Sequence, residues 1–151
     1  MPSNDTPKKI FLKGSPSYRE AAATATVTPG MLVEAVAGGN AAPHGTAGGP
    51  GAPAFARENE IIGNGIDVDY AAGDNVLYGV SRSGDEVYGW IADGENVAAG
   101  DYLQSDGAGA FEAWVAGSAG TTLPGHALVK AKEDVDNSAG GAPARIKLEV
   151  L

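Results

Sequence analysis

The sequence contains no cysteine, which excludes disulfide frameworks, thiolate zinc sites and thiol nucleophiles together. It also lacks an apolar run long enough for a membrane-spanning helix. Residues 35–56, the longest stretch without a charged side chain, are interrupted throughout by glycine and proline. The first residues, MPSNDTPKKIF, show no apolar segment of the signal-peptide kind. These absences predict a soluble protein that has no membrane partner and is not exported through a signal peptide.

Basic residues are few and unevenly placed. The chain has 10 Lys and Arg residues against 19 Asp and Glu, which gives a net charge of −9. Residues 58–112 hold twelve acids and the single base Arg82, whereas residues 1–20 have an excess of bases. Because contact with nucleic acid depends on neutralising phosphates, we expect no nucleic-acid partner for the acidic body.

Motifs for catalysis are also missing. His44 and His126 are the only histidines, they stand far apart, and neither belongs to an HExxH or similar metal-binding pattern. The GxSxG, GxGxxG and Walker A patterns are absent as well. We therefore predict that the chain is not an enzyme and has no catalytic residue, metal or cofactor. The many carboxylates leave open one alternative, a hydrolase with two acids in a cleft.

One group of acids has a spacing that resembles a set of Ca²⁺ ligands. Asp67, Asp69 and Asp74 lie in the segment IDVDYAAGD. The pattern lacks the third ligand and the terminal glutamate of an EF-hand loop. Solvated carboxylates at a strand edge and a turn are the simpler interpretation, and the calcium hypothesis stays open.

What the sequence does contain is a repeated alternation of apolar and polar residues with period two. In the C-terminal segment ARIKLEVL, Ile146, Leu148 and Val150 fall on one face and charged residues on the other. Short runs bounded by Gly, Pro, Asp or Asn predict further strands at 9–13, 25–28, 31–36, 75–80, 87–91, 101–104, 111–115 and 127–132. We predict an all-β fold, a small β-barrel or β-sandwich.

Two segments depart from the strand pattern. Residues 18–25 contain Arg-Glu-Ala-Ala-Ala after Ser17, a possible N-cap residue, so a short helix is predicted there. Residues 38–53, GGNAAPHGTAGGPGAP, have almost no apolar side chain to bury. They are predicted to form a long Gly/Pro-rich loop that is mobile or extended.

A turn pattern recurs four times: an apolar or threonine residue, two spacers, glycine, two spacers and an apolar residue. Its glycines are Gly30, Gly73, Gly100 and Gly125. Glycine accepts the positive φ that the third position of a type II turn requires, so each pattern is expected to feed a strand. Ser83 and Gly84, between VLYGV and VYGWI, predict a β-hairpin.

Five segments form a wider pattern along the chain: KGSPSYREAAATATVTPGMLVE, FARENEIIGNGIDVDYAAGDNV, GDEVYGWIADGENVAAGDYLQSDGAGAFE, ALVKAKEDVDNS and ARIKLEVL. In this order they resemble the small head decoration, or cement, proteins of tailed bacteriophages. The resemblance depends on the number and order of the segments, since none of them is a catalytic signature. It covers nearly the whole chain apart from the Gly/Pro-rich loop and residues 116–121.

The resemblance implies a small β-tulip-like domain on the outside of an expanded icosahedral head. It implies the major capsid protein as partner, homotrimers over the threefold axes, and an N-terminal arm that reaches across neighbouring capsid subunits. Residues 1–20 are then the capsid-binding arm, and residues 21–151 a single β-rich domain. The residues expected to contact the capsid are Lys8, Lys9, Ile10, Phe11, Leu12 and Lys13. The predicted function is to decorate and cement the outer surface of the virion head.

A second hypothesis uses the aromatic residues. Tyr88 and Trp90 alternate on one strand face, and an exposed aromatic face is typical of a contact with a glycan or a protein. The chain is then a receptor- or glycan-binding β module on a virion or cell surface. Burial of this face speaks against that hypothesis.

Overall fold

The computed structural model describes residues 6–117 and 125–151. Within these residues the chain forms thirteen short strands, one 3₁₀ turn and no α-helix. In chain order they are β1 (Phe11–Lys13), β2 (Ser17–Ala22), β3 (Val33–Val36), β4 (Asn40–Pro43), β5 (Ala54–Ala56), the 3₁₀ turn η1 (Glu60–Ile62), β6 (Asn75–Val80), β7 (Glu86–Ile91), β8 (Asn96–Val97), β9 (Tyr102–Ser105), β10 (Phe111–Ala113), β11 (Val129–Ala131), β12 (Val135–Asp136) and β13 (Ala144–Val150). The predicted all-β fold is confirmed.

Five of these strands close into a barrel. They follow one another in the order β7, β10, β9, β11 and β13, and β13 pairs back with β7. In this closing pair, six consecutive residues of β7 oppose Ala144–Glu149 of β13 in antiparallel register. Strand β1 also pairs with β7, with Phe11 opposite Val87. Closure leaves β7 with a partner along both of its edges.

The barrel interior is filled by alternate residues of its strands. Ile146, Leu148 and Val150 of β13 are buried, whereas Lys147 and Glu149 between them are partly exposed, as the period-two pattern predicts. The other barrel strands add Val87, Ile91, Leu103, Phe111, Val129 and Ala131 to the same core. Complete burial of one large aliphatic side chain contributes roughly 1.5–3 kcal/mol to folding. The barrel core is therefore a main source of stability.

Residues 17–80 form a second layer beside the barrel, which we call the side lobe. It contains a three-stranded sheet in the order β2-β6-β5 and the hairpin β3-β4. Its small core consists of Ala23, Val27, Val33, Ala54, Ala56, Tyr70 and Val76. The Tyr70 hydroxyl donates a hydrogen bond to the Arg57 carbonyl oxygen over 2.7 Å. Burial raises the pKa of this tyrosine above its ordinary value, because the phenolate loses solvation.

The side lobe meets the barrel at the turn that contains Pro29 and Gly30, and we call this contact the joint. The Pro29 carbonyl oxygen accepts hydrogen bonds from Trp90 Nε1 over 3.0 Å and from Arg145 Nη1 over 2.7 Å. The Arg145 guanidinium lies 3.9 Å from the Trp90 ring centroid, and its Nη2 donates to the Ile66 carbonyl oxygen over 2.6 Å. Burial lowers the pKa of Arg145 from its ordinary value, and the nearby Asp67 carboxylate opposes that shift.

The helix predicted at residues 18–25 is wrong. Ser17–Ala22 is strand β2, and all six of its residues oppose β6 in antiparallel register. A single short helix gains few internal hydrogen bonds, whereas the neighbouring strand supplies a partner for the backbone. This strand also crosses residue 20, where the sequence analysis ended the N-terminal arm. Of the strand predicted at 25–28, only an isolated bridge between Val27 and Tyr70 is formed.

The Gly/Pro-rich loop has more structure than the sequence predicts. Within residues 38–53, Asn40–Pro43 is strand β4 and pairs with β3. Gly38 and Gly39 make the hairpin turn with φ values of 83° and 74°. The following residues are bound to the barrel, because the Gly48 amide donates to the Ser105 carbonyl oxygen over 2.8 Å. The extended form that the sequence analysis allowed is therefore observed for Asn40–Pro43, and the mobility of the loop stays a prediction.

Three of the four predicted glycine turns are confirmed. Gly30, Gly73 and Gly100 have φ values of 95°, 91° and 96°, and the residue after each donates its amide to the carbonyl oxygen three residues earlier. The fourth, around Gly125, lies partly outside the described residues. The hairpin predicted at Ser83 and Gly84 is wrong, since β6 belongs to the side lobe and β7 to the barrel. The Gly84 amide instead donates to the Val150 carbonyl oxygen over 2.8 Å.

Replacement of Gly30 by alanine tests the joint. An added Cβ lies 2.7 Å from the Tyr88 carbonyl oxygen and 2.5 Å from Arg145 Nη1, whereas at Gly73 nothing lies within 4 Å. Gly73→Ala is expected to cost about 1 kcal/mol, the strain of an L-residue at positive φ. Gly30→Ala should cost about 2 kcal/mol more, because the joint must also open. Chemical denaturation of both variants measures the difference, and equal losses would contradict the close contact.

Replacement of Tyr70 by phenylalanine tests the buried phenol. A folded-state pKa above the unfolded value means that its contribution to stability is present below about pH 10 and is lost as the pH rises through the folded pKa. Tyr70→Phe should be less stable by about 1 kcal/mol at neutral pH, because a hydrogen bond is lost. Its unfolding free energy should fall less steeply than that of the wild type at alkaline pH. The control Tyr102→Phe, at a half-exposed side chain, should follow the wild type, and identical alkaline slopes for all three proteins would refute the assignment.

Candidate interaction surface

The leader residues predicted to contact a capsid divide into core and surface. Ile10 is completely buried in the barrel core. Its amide donates to Oε2 of the buried Glu58 over 3.1 Å, and its carbonyl oxygen accepts from the Tyr88 amide over 2.7 Å. This is a correction to the sequence analysis, because a residue held in this way is not available to a partner.

The other five residues of that set are more accessible. Phe11 and Leu12 are partly buried, and the Phe11 ring packs edge-on against Tyr18 with a centroid distance of 5.9 Å. Lys8, Lys9 and Lys13 are exposed, and Lys13 Nζ lies 3.0 Å from a carboxylate oxygen of Glu86. The structure therefore leaves three lysines at the surface of the leader. Their contact with a capsid stays a prediction.

The histidines lie at different depths. His44 is buried, with Nδ1 2.7 Å from Ser105 Oγ and Nε2 2.9 Å from the Pro50 carbonyl oxygen. A carbonyl only accepts, so Nε2 carries the proton and Nδ1 accepts from the serine in the neutral ring. Glu34 lies 3.9 Å from Nε2, but Ser105 is completely buried, so a substrate has no route to this hydroxyl. The arrangement binds the Gly/Pro-rich segment to β9. Exposed His126 has its Nδ1 3.0 Å from the Gly48 carbonyl oxygen.

Two of the three acids of the calcium hypothesis are bound to other groups. Asp67 Oδ1 lies 3.2 Å from Arg145 Nη2, and Asp74 Oδ2 accepts from the Ala71 amide over 2.8 Å. In residues 6–117 and 125–151, no three His, Asp or Glu side chains are gathered as metal ligands. The structure therefore gives the calcium hypothesis no support. That the chain is not an enzyme stays a prediction.

The aromatic face of the second hypothesis is not free. Tyr88 and Trp90 do share one face of β7, but that face is the joint. Tyr88 is only 9% exposed, and burial raises its pKa above the ordinary value. Trp90 is covered on one side by Arg145. A groove of about 370 Å³ lies beside the indole and is lined mainly by small apolar side chains. These contacts argue against Tyr88 and Trp90 as a glycan-binding surface.

A more exposed set of apolar side chains lies on the side lobe, and we call it the apolar ridge: Tyr18, Ile61, Ile62 and Val68. Their exposed fractions are 59%, 77%, 69% and 46%. Tyr18 and Ile61 border one depression, and Ile62 and Val68 border the next. Each depression thus has two exposed apolar side chains at its border, and the adjacent residues Ile61 and Ile62 of η1 contribute one to each. The apolar ridge was not predicted from the sequence.

Local hydrogen bonds hold the centre of the apolar ridge in place. The turn η1 ends at Gly63, whose φ is 81° and whose amide donates to the Glu60 carbonyl oxygen over 3.1 Å. The Arg57 guanidinium pairs with the Glu60 carboxylate and lies 4.5 Å from the Tyr18 ring centroid. The two isoleucines are thus presented by a defined turn.

A second group of exposed apolar side chains lies on the barrel. Tyr102 and Trp114 meet edge to face with a centroid distance of 6.3 Å, and Val115 follows them. Trp114 Nε1 donates to the Gly125 carbonyl oxygen over 2.7 Å. No helix in the described residues is long and apolar enough to cross a membrane.

Replacement of Ile10 by alanine tests whether the leader is part of the fold. Truncation of a fully buried isoleucine is expected to lower the unfolding free energy by about 2–5 kcal/mol. The control Lys9→Ala removes an exposed side chain and should change it by less than about 0.5 kcal/mol. Chemical denaturation measures both values. A loss at Ile10 as small as that at Lys9 would show that the leader is detached in solution.

The fold has a counterpart among solved structures. It is similar to the N base of the head fiber gp8.5 in bacteriophage phi29, known from a crystal structure. The TM-score is 0.55 at 13% sequence identity, and the similarity covers 91% of this chain and 95% of that chain. No protein-family model and no curated protein matches the sequence. An identity this low establishes a shared fold and nothing more, and it does so over nearly the whole chain.

Proposed function

We propose that this chain is a structural protein of a tailed-bacteriophage virion, carried on the outer surface of the head. The observation that carries the proposal is the shared fold with the N base of a phage head fiber over 91% of the chain. The sequence resemblance to phage head decoration proteins supports the same location independently. Fold alone does not define function, so the proposal depends on the agreement of these two observations.

The finer hypothesis is a cementing role. In it, the protein binds neighbouring major capsid subunits of the expanded shell, as homotrimers over the threefold axes. A ligand that binds only the expanded lattice stabilises that lattice by mass action. Many copies around one shell add their contributions, even if each contact is weak. The exposed lysines Lys8, Lys9 and Lys13 are the leader residues that remain available for such contacts.

A specific observation also favours the alternative, a receptor- or glycan-binding module on a virion or cell surface. Tyr102 and Trp114 are 51% and 38% exposed and form an aromatic pair on the barrel. Exposed aromatic side chains with a polar atom are typical of recognition surfaces. Binding to a glycan array that is lost in Trp114→Ala, without binding to heads, would favour this alternative over a head protein.

The proposal predicts that purified protein binds heads of the encoding phage that were assembled without it. Co-sedimentation and quantitative mass spectrometry measure the copies bound per particle. Saturation at a number commensurate with the icosahedral threefolds is expected for the cementing role, together with slower heat disruption of the shell. Absence of binding to expanded heads would refute the head location, and saturable binding at another stoichiometry would refute only the trimer arrangement.

The leader is tested with point variants, because deletion of residues 1–14 removes Ile10 from the core. Lys9→Glu is expected to weaken binding to the heads about tenfold, since a surface charge at an interface is reversed. Arg82→Glu, at an exposed base in the turn before β7, makes the same change in net charge and should bind like the wild type. Equal binding of both variants and the wild type would exclude the leader from the interface.

A further inference from the structure

The apolar ridge exposes large apolar side chains that are not packed into either core. Ile61 and Ile62 are 77% and 69% exposed, so neither side chain contributes much to a core. Single exposed apolar residues are common, but contiguous ones mark interaction surfaces. None of the four stands alone, because Tyr18 and Ile61 share the border of one depression, and Ile62 and Val68 share the border of another.

The apolar ridge is also ordered before any partner binds. The Gly63 and Asn64 amides close the turn η1 onto the carbonyl oxygens of Glu60 and Asn59, over 3.1 and 3.0 Å. Glu58, two residues before this turn, accepts a hydrogen bond from the Ile10 amide at the barrel. A surface that is held in one conformation loses little entropy when it binds, which favours affinity.

The charges around the apolar ridge are mainly negative. The exposed carboxylates Glu60, Asp69 and Asp74 lie at its border, and Asp69 and Asp74 share a depression with Ile62 and Val68. Three bases also lie there: Arg57, which pairs with Glu60, Arg19 beside Tyr18, and Lys8 beside Val68. The excess of carboxylates therefore lies in the depression that Asp69 and Asp74 share with Ile62. An interface of this kind selects a partner by charge as well as by shape.

We propose that the apolar ridge binds a protein surface that has an apolar depression bordered by lysine or arginine. This inference rests on the proposed function, under which that surface belongs to the shell of the head. A second copy that meets the first ridge to ridge fits less well, because Asp69 and Asp74 of both copies would then come together. An anionic membrane is disfavoured because it would repel the same carboxylates.

The test replaces both isoleucines, in Ile61→Ser/Ile62→Ser. The matched control is Val115→Ser/Leu151→Ser, which changes two apolar side chains that are 48% and 45% exposed and lie outside the apolar ridge. Both variants should melt like the wild type, because no buried side chain changes. The ridge variant should bind heads that lack the protein at least about tenfold more weakly, as expected for the loss of central apolar contacts. The control should bind normally.

Higher salt should weaken the binding of the wild type to heads, since charges border the contact.

Each other outcome contradicts the proposal in a recognisable way. If the wild type binds heads and the ridge variant binds equally well, the inference fails while the proposed function stands. If the control alone loses binding, the shell contacts the surface around Val115 and Leu151 instead. If analytical ultracentrifugation shows that the ridge variant dissociates a wild-type oligomer, the surface joins copies of this chain. If the wild type, but not the variant, floats with phosphatidylcholine vesicles, the partner is a lipid surface. If the wild type does not bind heads at all, both proposals fail.

Discussion

The fold depends on the contact in which one carbonyl of the side lobe meets two donors of the barrel. The Pro29 oxygen accepts from Trp90 and Arg145, which belong to the paired strands β7 and β13. The approach is possible because Gly89 has no side chain, since a Cβ there would lie 3.3 Å from the Gly30 carbonyl oxygen. A largely buried guanidinium is costly unless its donors are satisfied. Two backbone carbonyls and Asp67 supply partners for Nη1 and Nη2 of Arg145, whereas its Nε has no partner in the described residues. The joint thus connects barrel closure to the position of the side lobe.

The position of the leader also depends on both the side lobe and the barrel. Glu58, just after β5 of the side lobe, binds the Ile10 amide, while Tyr88 of the barrel binds its carbonyl. The leader therefore joins the fold at Ile10, and β1 continues along β7. An arm that reaches a neighbouring subunit must then be formed by the residues before Ile10, with exposed Lys8 and Lys9 at its base. This geometry leaves Lys8 and Lys9, rather than Ile10, accessible for such a contact.

Most of the barrel could be predicted from the sequence because its strands have one buried and one solvated face. In barrel strand β13, alternation places Ile146 and Leu148 inside. In the side lobe, β6 was also predicted with its observed bounds. Strand β2 was not predicted, because its residues are nearly all exposed and show no alternation of apolar and polar side chains. Its Arg-Glu-Ala-Ala-Ala sequence favours a helix locally, and the pairing with β6 overrides that preference. Strand β4 was missed because the buried side chains in and next to it are the small Ala41 and the polar His44, and not an apolar run.

The candidate surface was less predictable, because composition does not show which isoleucine is buried. Ile10 and Ile61 each lie in short sequence segments next to charged residues, and both would be assigned to a core from hydrophobicity alone. Backbone contacts separate them: Ile10 is bound by both layers, whereas Ile61 belongs to a turn that closes on itself and directs its side chain outward. The sequence signal that was available is Gly63, directly after two isoleucines, which predicts a turn where a strand core is expected. Apolar residues in such a turn cannot alternate into a sheet, so hydrophobicity alone does not predict whether Ile61 and Ile62 are buried, and the structure shows them exposed.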